Sequence, residues 1–574
     1  MRILLVTYRY GKDIPGGGER YLRELMTRLA ARGHHVDVFT TRSQRMITTP
    51  FNYLVWDNYL PGGEEEDAGV RVRRFEVRNP RPRRARRIVD DILAMQERER
   101  ENPAFAALME EAIAGSDEHC FLCGWHDAET WDDGPARWTR RSAVLVLGGE
   151  GLEGLVIEAY PYMDTNLQVE VPGEGSWEFE LSMGRSRELK VAFGPRRSAV
   201  VRILVPGTAR PPGDAREVGL AVRRVAALTQ TGERDLDLGR GWREFLNTAW
   251  ESALSSILWG MAERRPHRAI RRHRYIMGPR SPLLEREVMT AASGYDVILG
   301  AMVPMTTLEL AWKASRAAGR PFVAFPLFHA RDPNHYWAHF RKALEGAAGV
   351  EANSGAVEEL MRGWGLSSFA VGPGYDLDEF SSPDIDGHRF REDFGFGNQP
   401  ILLWVGRKNE YKGYRDAMAA LRLVREKEPE ALLVMIGPDE DNLPVSQEGV
   451  FYLGAQPRRV VLDAFDACDA LLFPSLHESF CLVFGEAWLR GRPVLGNAYC
   501  AAARGIIDHG VDGYLCGDVE DYACRALELI EDPSLARLMG ERGREKMMAT
   551  RGWDLLVERL EAKLLQVAGI QPED

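Results

Sequence analysis

Two glutamates stand eight positions apart in a 574-residue chain, Glu478 and Glu486. They sit in the segment Phe473, Pro474, Ser475, Leu476, His477, Glu478, Ser479, Phe480, Cys481, Leu482, Val483, Phe484, Gly485, Glu486. A helix starting just after the first would separate them by roughly 12 Å along its axis, at about 1.5 Å of rise per residue. Carboxylates that far apart address different parts of one elongated ligand. The spacing alone belongs to any solvated helix face. Here an apolar strand ends at Phe473 and Pro474, the first glutamate falls in the loop, and a mostly apolar helix buries the second.

Other residues offer chemistry of a complementary kind. Gly406, Arg407 and Lys412 follow the apolar run 401–405, and the carboxyl end of a buried strand is where α/β proteins bind ligands. Exposed arginine and lysine are otherwise ordinary surface. Gly16, Gly17 and Gly18 permit close backbone approach, and the helix after them aims free N–H groups and a positive dipole end at an anion. Read without context they form a plain turn. His329 follows the apolar run 322–325 and, on residue type alone, is a satisfied structural histidine. His119, Cys120, Cys123 and His126 put four zinc-type ligands within eight positions, but the distant second pair of the usual zinc modules is missing. No metal site is expected, and metal binding by these four stays an open question. No activated nucleophile is evident.

These groups need elements to hold them. Residues 3–7 read as a buried strand, a helix follows with Tyr21, Leu22, Leu25, Met26, Leu29 and Ala30 on its core stripe, and Gly33 stops it before a strand at 36–40. This is a βαβ unit. The same grammar returns in strands at 401–405, 432–436, 470–473 and 493–495, with helices at 414–425, about 482–490 and beyond 519. From about 120 to 240 the helical period gives way to alternation: Leu167, Val169, Val171; Trp177, Phe179, Leu181; Leu189, Val191, Phe193; Val201, Ile203, Val205. Pro172, Gly173 and Gly175 punctuate it. The α/β pattern resumes at 297–299 and 322–325, so the β-rich stretch interrupts the first domain.

The expected organisation is α/β with two Rossmann-like domains and an all-β, sandwich-like insertion in the N-terminal one. It divides the chain into 1–117 (first part of the N-terminal domain), 118–240 (the insert), 241–380 (second part, the acceptor side) and 381–574 (the C-terminal domain with terminal helices).

Composition narrows the partners. Apolar residues make up 45% and charged residues 28%, a globular balance, and the net charge of -12 argues against nucleic-acid binding. Arginine is dense from Arg71 to Arg87 and again at Arg264, Arg265, Arg268, Arg271, Arg272 and Arg274. These stretches are either solvated surface or a patch meeting anionic lipid or substrate. The short apolar start resembles no export signal, the stretch 245–261 is broken by Glu251, and seven scattered cysteines make no disulfide framework. A cytoplasmic protein is expected, with any membrane contact peripheral, at the inner face.

The stretch from Glu478 to Glu486, with Gly491, Arg492, Pro493 and Val494 after it, resembles the donor-site signature of family 4 retaining glycosyltransferases of the two-domain GT-B type. Val405, Gly406, Arg407, Lys412 and Gly413 resemble that family's basic pair, Gly372, Pro373, Gly374, Tyr375 and Asp376 its interdomain linker, and Gly16 to Glu19 its first loop. The resemblance implies a nucleotide diphosphate sugar as donor substrate, no further cofactor and no metal. It implies hexosyl transfer to a glycan or glycolipid acceptor, in bacterial surface polysaccharide synthesis. Arg407 and Lys412 would stabilise charge growing on the departing diphosphate. Glu478 would bond hydroxyls of the donor sugar and Glu486 those of the ribose. Gly17, Gly18, Gly406, Ser479, Phe480, Cys481 and Leu482 would line the donor, and His329 would help position the reaction centre. The implied mechanism is front-face substitution without a protein nucleophile.

Ser479 and Cys481 depart from the family's small glycine-like residues, and 497–503 lacks its glycine pair. The insert resembles accessory modules of bacterial polysaccharide glycosyltransferases. Trp125, Trp131 and Trp138 are either core or a glycan-stacking surface. Two other classes share parts of the pattern: a GT-B-fold isomerase or epimerase of nucleotide sugars, and a non-catalytic glycan-binding protein.

Overall fold

The computed structural model describes residues 1–571 apart from 15, 45, 48–54, 80, 133 and 212–213. It divides into two compact units: Met1–Ile88 with His267–Asp574, and Val89–Pro266.

Among the described residues, the first unit holds two large sheets. One has eight strands, in the order Ser368–Ala370, Gly349–Ala352, Phe322–Phe325, Val297–Ala301, Arg2–Val6, His35–Thr41, Val70–Phe75 and Gly63–Asp67. Every pairing in it is parallel except the last, an antiparallel edge. The other has six parallel strands: Val450–Tyr452, Leu432–Ile436, Ile401–Val405, Ala470–Phe473, Val494–Asn497 and Gly513–Cys516. Helices cover both faces of such sheets, which is why the central strands are continuous apolar runs rather than alternating ones. Ile3, Leu5, Val36 and Val38 share a core with Leu22, Leu25 and Met26 of helix Gly17–Ala31, the stripe read from the sequence.

The C-terminal segment departs from the expected grouping of 381–574. Helices Val519–Glu531 and Pro533–Thr550 pack on the six-stranded sheet, but Leu556, Val557, Leu560 and Leu564 of helix Trp553–Ala568 join the core of the eight-stranded one. The chain therefore crosses between the halves twice, at 371–376 and at 551–552, and the crossings touch: the Tyr375 amide donates to the Arg551 carbonyl at 2.9 Å. Gly374 allows this, because a Cβ there would stand 2.8 Å from the Trp553 ring.

The arginines of 71–74 are balanced locally. Strand Gly63–Asp67 sets Glu64 opposite Arg73 and Glu66 opposite Arg71, Glu65 pairs with Arg74, and Asp37 takes Arg71 at 2.5 Å. Cross-strand pairing of this kind leaves a charged but neutralised edge. No helix among the described residues is long and apolar enough to cross a membrane.

The second unit is built on one seven-stranded antiparallel sheet spanning His119–Trp131 to Gly232–Asp235. It is a continuous sheet rather than two separate ones. Strand Gly134–Pro161 contributes Leu145 and Leu147 from its first half and Leu155 and Ile157 from its second to the same core, with Gly149 and Gly151 between them at φ 159° and 64°. The alternating sets Leu167, Val169, Val171 and Val201, Ile203, Val205 point into that core. The unit also exceeds 118–240 and is not all-β, because helices Pro103–Ala112, Trp242–Thr248 and Glu251–Arg264 pack with the sheet and with one another.

Trp125 is a core residue, its Nε1 donating to the Val144 carbonyl at 2.8 Å. Trp138 is buried beside half-buried Trp131, Tyr160 and Tyr162. His119 and His126 each bond a backbone carbonyl, of Asp237 at 3.0 Å and Glu217 at 2.9 Å, and Cys120 is buried. Among the described residues, no group of three or more His, Cys, Asp or Glu side chains is arranged to hold a metal ion.

Candidate active site

Strands Ile401–Val405 and Ala470–Phe473 are neighbours in the six-stranded sheet, so the loops leaving their carboxyl ends emerge side by side. The first carries Lys412 on the turn Glu410–Lys412; the second carries Glu478. Gly413, at φ 71°, lets the loops touch, since a Cβ there would lie 2.5 Å from the Pro474 carbonyl. Lys412 Nζ donates to Glu478 Oε1 at 2.5 Å, and Ser475 Oγ donates to the same oxygen at 2.7 Å. Both charged side chains are 12% exposed. Burial alone would push the Glu478 carboxyl up, but the Lys412 charge and the bonds from Lys412 and Ser475 outweigh it and hold the group below its ordinary value.

His329, beyond strand Phe322–Phe325 of the other sheet, comes close enough to feel the charges of Glu478 and Lys412. Its amide donates to His335 Nδ1 at 3.0 Å, and their rings stand 5.3 Å apart. His477, next to Glu478, completes a group of three. Burial pushes all three imidazoles below the usual histidine value, and mutual repulsion adds to it, with His335 taken to about 3. They are neutral near pH 7, so the local positive charge comes from Lys412 and, beside His477, from Arg331. Neither His335 nor His477 was legible as a site residue, because what gathers the three is the approach of His477 to the 329–335 segment, which lies far from it in sequence.

Two helix starts meet at this place. A Cβ on Gly17 would lie 3.3 Å from Leu482 Cδ1, so the first turn of Gly17–Ala31 faces the first turn of Leu482–Leu489. Gly18 is fixed by packing within its own half, where a Cβ would meet Leu327 Cδ1 at 2.6 Å. Neither helix has a side-chain cap, which leaves N–H groups and positive dipole ends for an anion. Asn353 Nδ2 donates to Ser479 Oγ at 3.3 Å, the Arg551 guanidinium lies over the Phe480 ring at 4.9 Å, and Tyr375 OH donates to the Leu482 carbonyl at 2.9 Å. Cys481 caps the second helix at φ 68°, the left-handed conformation that glycine adopts without strain. This chain meets with a cysteine a backbone position that suits glycine.

Two expected groups are engaged elsewhere. Arg407 donates to Glu440 Oε1 and to Tyr411 OH, each at 2.9 Å, instead of joining Lys412 in a pair; its side chain is 51% exposed. Glu486 accepts from Arg458 Nη1 at 2.6 Å, and Arg458 also holds Glu379 through Nε and Nη2 at 3.0 and 2.7 Å. Arg458 escaped the sequence reading because its partners lie 28 and 79 positions away. Gly406 keeps the strand end tight: its amide donates to the Ile436 carbonyl at 2.9 Å, and a Cβ would meet the Phe473 ring at 3.3 Å.

Comparison with known proteins places these loops among glycosyltransferase segments. Residues 388–546 match the family "Glycosyl transferases group 1", and residues 16–112 match "Glycosyl transferase 4-like domain". The chain is 32% identical over 170 residues to N-acetyl-alpha-D-glucosaminyl L-malate synthase of Bacillus anthracis, covering 28% of this chain and 44% of that protein. It is 30% identical over 168 residues to a trehalose synthase of Thermococcus litoralis, covering 26% and 40% respectively. The chain thus spans less than half the length of these curated relatives. Sucrose-phosphate synthase of Thermosynechococcus elongatus superposes with a TM-score of 0.51 at 14% identity, over 99% of both chains. That likeness concerns the fold, which is of the GT-B type.

Proposed function

We propose that the chain is a retaining, metal-independent glycosyltransferase. It takes a hexosyl residue from a nucleotide diphosphate sugar and passes it to a hydroxyl of a glycan or glycolipid, in bacterial surface polysaccharide synthesis. The observation that carries this reading is the Lys412–Glu478 pair, set on adjacent strand ends where two uncapped helix starts meet. The matched glycosyltransferase segments and the insert's resemblance to polysaccharide-enzyme modules support it.

In this reading the diphosphate lies against the helix starts of Gly17 and Leu482, with Lys412 turning from Glu478 to a phosphate oxygen as negative charge grows there. Arg407 reaches the same group by leaving Glu440. The freed Glu478 carboxylate accepts hydroxyls of the transferred sugar, and Glu486 accepts the ribose hydroxyls. The bond from the anomeric carbon to the phosphate oxygen breaks while the acceptor oxygen bonds the same face, and the acceptor's proton passes to the departing oxygen. Neutral His329 positions the sugar. No cofactor beyond the donor is required.

The test is the fate of the donor, followed by NMR with and without EDTA. The expected product keeps the donor's anomeric configuration, at a rate EDTA leaves unchanged. An inverted product overturns retention, isomerised donor assigns the chain to the isomerases, and activity restored only by added metal overturns metal independence.

A further inference from the structure

A second polar cavity, away from Glu478, lies in the first unit between helix His267–Met277, the loop 278–281 and helices Pro282–Ala291 and Thr306–Ala318. Its volume is about 430 Å³. Arg271, Arg274, Arg280 and Lys313 line it, against the carboxylates of Glu285 and Glu309. Buried Glu309 is already taken twice, by Arg274 at 2.7 Å and Lys313 at 2.8 Å. Among the described residues, Arg271 and Arg280 have no ion-pair partner. Tyr275 lies between two guanidinium groups, Arg280 at 4.4 Å and Arg84 at 4.6 Å from its ring centroid. Arg271 and Arg280 thus present two guanidinium groups to the cavity that a bound anion would pair.

The remaining walls narrow the ligand. The first turn of Thr306–Ala318 adds Thr306 and Thr307 to the wall, their hydroxyls donating to the Pro279 and Ala301 carbonyls. That helix follows strand Val297–Ala301, so the cavity opens at the carboxyl edge of the eight-stranded sheet, where ligands of such sheets bind. Among the lining residues, Met289 is 43% exposed, an apolar margin beside a cationic floor. Arginine forks match phosphate oxygens geometrically, whereas the exposed methionine matches a hydrocarbon chain.

We propose that this cavity binds the phosphoryl group of an amphiphilic ligand, with Arg271 and Arg280 as the phosphate-gripping residues and Met289 against the apolar portion. The site stands independently of the transferase reading.

Calorimetric titration of the full chain with inorganic phosphate, octyl phosphate and octyl glucoside tests it, in a Lys412→Ala background that weakens anion binding near Glu478. Octyl phosphate should bind saturably and tighter than inorganic phosphate, and octyl glucoside should not bind. Arg271→Glu and Arg280→Glu, separately, should each weaken octyl phosphate by at least roughly tenfold, the value of one charge-assisted contact. Equal affinity for the two phosphates, lost in the same variants, removes the apolar portion and overturns the amphiphile. Affinity unchanged in both variants, or octyl glucoside binding as well as octyl phosphate, overturns the phosphoryl assignment. Arg271→Gln, which retains the stem, guards against misfolding as the cause of lost binding.

Discussion

Glu478 and Glu486 are both paired with a cation, yet the pairs are built differently. Glu478 sits in a loop and meets a single lysine from the neighbouring loop, with Ser475 on the same oxygen. Glu486 sits inside helix Leu482–Leu489 and meets an arginine that also binds Glu379 next to the interdomain crossing. A lysine is a point charge on a flexible stem and can turn to another anion; an arginine fork shared by two carboxylates ties three segments together. The contrast predicts that the first pair works by exchanging partners while the second holds the site's shape.

Breaking the first pair should have the largest effect. Glu478→Gln keeps the shape but weakens the bond to a sugar hydroxyl, and transfer should fall on the order of a hundredfold, the loss of one charged hydrogen bond. Melting temperature should fall as well, because the neutral amide gives up the charge pairing with Lys412. Lys412→Ala should lower both activity and stability. It leaves the Glu478 carboxylate in a half-closed site with only Ser475, at a cost of about 3 kcal/mol near pH 7.

The pH dependence has a definite sign. Glu478 is held below its ordinary value in the folded chain, so its pairing stabilises fully above the unfolded carboxylate value of about 4.3 and is lost as pH falls through the lower folded value. Denaturation of Lys412→Ala and wild type should therefore diverge at neutral pH and converge in acid. A constant difference from pH 7 to 3 would contradict the pairing.

Between the two glutamates lies Cys481, and its left-handed backbone separates local strain from charge. Cys481→Val should cost roughly 2 kcal/mol because a branched Cβ suits that conformation least, whereas Cys481→Gly should stay within about 1 kcal/mol of wild type. Urea unfolding of both variants measures this; equal losses would mean that lost packing dominates. The smallest change is expected at the second pair. Glu486→Gln leaves Arg458 with Glu379, so stability should drop by about 1 kcal/mol or less, the scale of a partly screened pair. KM for the donor should rise more than kcat falls.

Much of this geometry was legible where it follows from local pattern. The buried strands at 401–405 and 470–473 are apolar runs whose ends carry polar loops, and that fixed where Lys412 and Glu478 stand along the chain. Their contact needed one further fact, that the two strands are neighbours in the sheet, which no run of residues states. Arg458 with Glu379, and Asn353 with Ser479, were illegible for the same reason. The β-rich unit shows the opposite limit. Alternation marked Val169, Val201 and Ile203 as inward-facing, but period two cannot tell one bent sheet from two facing ones, nor that flanking helices belong to it. Trp125 is core because it lies on the inward face of its strand, a matter of register that composition cannot supply.

The exchange of partners at Lys412 and Glu478 is tested most directly by the release of nucleoside diphosphate from the sugar donor in the presence of acceptor, measured for wild type and Glu478→Gln at matched folded fraction. The expected result is steady release by wild type and release on the order of a hundredfold slower in the variant. Equal rates would show that the Glu478 carboxylate takes no part in the reaction.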